Sequence, residues 1–89
     1  MIGQIFHSKH GALQSIARQS KSPHERAFRM AKEIMRELEA VETFHYDISF
    51  QDNVVIIKEI IVHEGGQMTE TVELNLDTGK YIISHRRQA

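Results

Sequence analysis

The hydrophobic period of this chain changes once, near residue 42, and that change limits the folds open to it. Upstream, "SPHERAFRMAKEIMRELEAV" (22–41) repeats as a helix does. Met30, Val41, Ile34, Ala27, Leu38, Ala31, Met35 and Phe28 fall within an arc of roughly 160° on a helical wheel. The opposite arc mixes Arg26, Arg29, Lys32 and Arg36 with Glu25, Glu33, Glu37 and Glu39. Acids and bases alternating at i, i+4 describe a solvated helix surface rather than a phosphate-binding stripe of one sign. Ser22 is a candidate cap, Pro23 suits a first helical position, and Glu25 completes an S-x-x-E capping box.

Downstream the period is two. "TFHYDISF" (43–50), "MTETVELNL" (68–76) and "YIISHR" (81–86) alternate, whereas "NVVIIKEIIVH" (53–63) is β-branched and apolar on both sides, as a central strand would be. Turn signals separate them: "QDN", "EGGQ" and "DTGK". The sequence therefore predicts an α+β fold, one long amphipathic helix packed on a four-stranded antiparallel meander sheet. The 89 residues form a single domain: an arm or short helix over 1–21, the main helix over 22–41 and the meander over 43–86. Within the arm, Leu13, Ile16 and Ala17 suggest a helix at about 11–20, and Ile2, Ile5 and Phe6 could anchor an edge strand or a second helix.

Pairing the strands outward from each turn sets Phe50 opposite Val54, Val62 opposite Met68 and Leu76 opposite Tyr81. Phe44, Tyr46, Ile48, Val54, Ile56, Ile60, Val72 and Leu74 then share the face that the helix covers. The other face is polar, with Thr43, His45, Asp47 and Ser49 on the first strand. Val55, Ile57, Ile61 and Ile82 interrupt it as an apolar patch that needs a cover. The first strand also lacks proline and lysine, the usual guards of a free sheet edge.

Charge is lopsided although the net is −1. Residues 1–36 carry +5, residues 37–79 carry −9, and the last ten carry +3. The halves can neutralise each other within one molecule or across a dimer. The alternative is a basic arm for nucleic acid, built on Lys9, Arg18, Lys21 and Arg26. A sheet that reads RNA would show aromatics on its open face, and here Phe44, Tyr46, Phe50 and Tyr81 point to the covered one.

Six histidines raise the question of metal. His7 and His10 are spaced i, i+3, but no H-E-x-x-H or comparable motif supplies further ligands. The expected register places His45 beside Glu59, a pair read as structural. "EGGQ" joins two strands and opens no helix, so it is no phosphate loop. The sequence thus points to no catalytic residue, cofactor or metal ligand. No cysteine is present, which leaves out disulfides and thiolate sites and fits a reducing, cytoplasmic setting. No apolar run reaches the length of a signal peptide or a membrane span. The favoured reading is a small non-enzymatic interaction or regulatory module, homodimeric and with a further protein partner. Dimerisation would use either the edge of 43–50 or the Val55, Ile57 and Ile61 patch. A nucleic-acid-binding regulator comes second.

Overall fold

Ser8 opens the first helix. Its side chain accepts a hydrogen bond from the Gly11 amide at 3.1 Å, satisfying one of the N–H groups that a helix start leaves unpaired. The computed structural model describes residues 3–38 and 43–88. In it a short strand, β1 (Gln4–Phe6), leads into α1 (Lys9–Gln19), and α2 (His24–Glu37) follows after a short link. Four longer strands complete the chain: β2 (Thr43–Gln51), β3 (Val54–His63), β4 (Gly66–Asn75) and β5 (Tyr81–Gln88). They form one antiparallel sheet in the order β1-β2-β3-β4-β5.

The α+β class and the meander are as the sequence predicts, the short helix expected at about 11–20 is α1, and the sheet has five strands in place of four. The added strand is β1. Its Gln4 side chain accepts hydrogen bonds from Gln19 at 2.8 Å and Ser15 at 3.3 Å, which tie it to α1, and Phe6 packs on the core. The main helix also starts differently. Pro23 is the cap and no side chain caps the helix, because the Ser22 hydroxyl is engaged elsewhere. It accepts from Asn53 at 2.9 Å and donates to the Leu76 carbonyl at 3.4 Å. Leu38 closes the helix, and the predicted stretch 39–41 lies outside the described residues.

The register of β3 is the principal correction. Both of its hairpins close through two residues, Asp52-Asn53 and Glu64-Gly65, with Gln51 opposite Val54 and His63 opposite Gly66. Asp52 takes a left-handed φ of 55° to make the tighter turn, a conformation that Asp tolerates better than most residues. Phe50 therefore faces Val55, and Val62 faces Gln67. Each pairing is one residue away from expectation, and a one-residue slip reverses every side chain of the strand. The two slips cancel beyond β3, so β4 keeps its expected facing; Tyr81 pairs with Leu74 in place of Leu76, a slip of two residues that leaves the facing of β5 unchanged.

Val55, Ile57 and Ile61 are consequently interior. They join Tyr46, Ile48, Val72 and Leu74 from the sheet with Ala12, Leu13 and Ile16 of α1 and Ala27, Ala31, Ile34 and Met35 of α2. All buried sheet side chains share one face, and both helices cover it. The arrangement is a two-layer α/β sandwich with a single core.

Candidate interaction surface

The reversed register changes what the uncovered face of the sheet carries. Its outward positions on β3 are Val54, Ile56, Lys58, Ile60 and Val62. Around them stand His45, Asp47 and Ser49 on β2, Thr69, Thr71 and Glu73 on β4, and Ile82 on β5. No helix or strand among the described residues lies over this face. Val62 is 46% exposed and Ile82 67%, and Val54, Ile56 and Ile60 are half-buried. Ile5 of β1, opposite Asp47, extends the surface at 60% exposure. At one corner Val54, Glu73, Asn75, Thr78, Lys80, Tyr81 and Ile82 surround a shallow depression of about 290 Å³.

Of the four aliphatic residues expected on this face, only Ile82 is there. Val55, Ile57 and Ile61 belong to the core, for the reason of register just given. His45, Asp47 and Ser49 occupy the open face as expected, and Thr43 lies beyond a bulge between Thr43 and His45. The edge that residues 43–50 were expected to leave free is taken over its middle by β1, which pairs with 46–48. The sequence signal that could have located the true surface is the alternative two-residue turn at Asp52-Asn53.

A second polar cluster sits on the covered face, where the sequence suggests none. Glu59 is 1% exposed and directly opposite Glu70. One Glu70 oxygen lies 3.3 Å from His85 Nδ1, and the other has no hydrogen-bond partner among the described residues. Glu59 thus faces the helices, away from His45, whose register partner is Ile60. The rings of His7 and His10 diverge: His7 meets His45 edge-on at 6.1 Å between centroids, and His10 meets Phe28 at 6.3 Å. Among the described residues no three His, Asp or Glu side chains are grouped to hold a metal ion.

The basic residues are separated as well. Lys9 stands at the start of α1 and Arg18 in its last turn, about 13 Å apart along the helix at 1.5 Å per residue. Lys21 and Arg26 lie at the α1–α2 junction, where Arg26 donates to the Asp77 carbonyl at 3.0 Å. No helix among the described residues is long and apolar enough to cross a membrane. No protein-family profile, curated protein or solved structure matches the chain.

Proposed function

We propose that this chain is a small non-enzymatic protein-interaction or regulatory module whose working surface is the open face of the sheet. The observation that carries the reading is the set of five aliphatic side chains there, Val54, Ile56, Ile60, Val62 and Ile82, with no described element over them. Exposed apolar surface set among polar residues marks interaction sites on soluble domains. Asp47, Lys58 and Glu73 among the aliphatics give the surface mixed charge, suited to a protein partner and unfavourable to phosphate. A cytoplasmic setting, consistent with the absence of cysteine, belongs to the same reading.

The test is capture from native lysate on immobilised wild-type chain and on the double variant Ile56→Asp, Ile82→Asp, each with and without nuclease. Proteins that withstand nuclease and are lost on the variant are the expected result. Equal capture by both chains would overturn the assignment of the face, and capture abolished by nuclease would favour the nucleic-acid reading.

A further inference from the structure

We infer that the occupant of the open face is a second copy of this chain, packed sheet on sheet about a two-fold axis that passes over Lys58 and runs across the strands. The inference rests on the open face being the working surface. Its first support is the order of side chains on β3. Val54, Ile56, Lys58, Ile60 and Val62 read the same in both directions about Lys58. A two-fold interface presents the same patch on both partners, so it must complement itself. With the axis over Lys58, the second copy's β3 runs antiparallel above the first. Val54 then meets the second copy's Val62, and Ile56 meets the second copy's Ile60. Every aliphatic residue of the stripe finds an aliphatic one.

Charge is the second support. Lys58 interrupts the stripe, and an ammonium covered by an apolar partner needs a counter-charge. The face brings its own. Asp47 is the register partner of Lys58 on β2, and Glu73 lies diagonally across on β4, opposite Ile56. About the axis, the row Asp47–Lys58–Thr71 stacks on its own copy, which sets Lys58 over Lys58 and Asp47 over Asp47, with each ammonium one strand away from an Asp47 carboxylate of either chain to offset the repulsion. The third support is area. Four strands of 8 to 10 residues span about 20 by 30 Å at ordinary spacing and rise, or roughly 600 Å² of flat sheet. Stable pairs bury about 800 Å² per partner. The flat area is about three quarters of that figure before side-chain corrugation and the rim around Ile5 are added, which is the order of area a second copy needs.

Light scattering coupled to size exclusion at micromolar concentration tests the partner, and site-directed cross-linking tests the axis. The wild-type chain should show twice the 10.3 kDa of one chain, and Ile56→Asp with Ile60→Asp should halve that mass. Because the chain has no cysteine, each introduced thiol is unique. Thr71→Cys, in the row over the axis, should be captured as a dimer by a bismaleimide of about 10 Å, the face-to-face distance of packed sheets. Lys32→Cys, exposed on α2, should not. A wild-type mass of one chain, a dimer that survives both aspartates, or cross-linking through Lys32→Cys instead of Thr71→Cys would each overturn the inference. If the double aspartate variant fails to fold, the cross-linking pair still decides. A monomer whose protein capture is lost on Ile56→Asp, Ile82→Asp would sink the second copy and leave the open face as an interaction surface.

Discussion

Asn53 does more than close a turn. Its side-chain oxygen accepts from the Lys21 amide at 3.0 Å, and its nitrogen donates to Ser22 at 2.9 Å and to Asp77 at 2.8 Å. Its carbonyl accepts from the Leu76 amide at 3.0 Å. One buried amide thus joins the α1–α2 link, the β2–β3 turn and the β4–β5 loop. Leaving a buried polar group unpaired costs about 1–3 kcal/mol, so Asn53→Ala should lower the urea midpoint by at least that much in free energy. Asn53→Asp should not rescue it, because a carboxylate would replace the donor that faces Asp77. Tyr81 offers a pH-dependent contact. Its phenol donates to Glu37 at 3.0 Å, and the hydrogen bond, then the carboxylate's charge and partial desolvation raise its pKa above 10.0. The folded state holds that proton more tightly than the unfolded one. Whatever the contact contributes is therefore present below the ordinary phenol pKa and lost as pH rises through the raised value. Glu37→Gln should move the Tyr81 titration downward, followed by its ring resonances, and an unmoved midpoint would refute the contact.

The behaviour of β3 as an element follows from its two hairpins. Both turns contain two residues, so Val55, Ile57, Glu59 and Ile61 lie under the helices and Val54, Ile56, Lys58, Ile60 and Val62 face out. Ile57→Ala should cost about 2–5 kcal/mol, the range for emptying a packed site. Ile56→Ala should cost far less when measured at protein concentrations low enough to keep the chain monomeric. Reversed costs in denaturant melts would restore the pairing of Phe50 with Val54. The helices show a related division of labour. α1 has a local cap in Ser8, whereas α2 begins without one. A helix lacking that contribution relies more on packing, here through Ala27, Ala31, Ile34 and Met35.

At the scale of the whole molecule, the sequence separates charge more than the fold does. At the α1–α2 junction the Arg26 guanidinium donates to the Asp77 backbone carbonyl and the Lys21 backbone amide to the Asn53 side chain, while Lys9 and Arg18 stand at opposite ends of α1, so the basic residues form no single patch. Nucleic-acid binding should therefore be weak and fall steeply with salt, since each phosphate contact releases counterions. Fluorescence anisotropy with single- and double-stranded oligonucleotides checks this. Binding that persists at physiological salt and is abolished by Arg18→Glu with Lys21→Glu would contradict it. The division between what the chain fixes locally and what the fold fixes is clear at particular residues. The α2 stripe, the four alternating or apolar strands and the three turns are legible in the sequence because each is a local preference, expressed within a few residues. The facing of β2, β4 and β5 is legible for the same reason: each alternates, and only one facing buries its apolar side. β3 offers no such guide. It is apolar on both sides, so its own pattern is satisfied in either register, and the choice passes to a loop that could hold two residues or three. Only the tertiary structure decides it, through the buried Asn53 and the left-handed Asp52. With that choice come the burial of Val55, Ile57 and Ile61, the placement of Glu59 against Glu70, and the aliphatic stripe left on the open face.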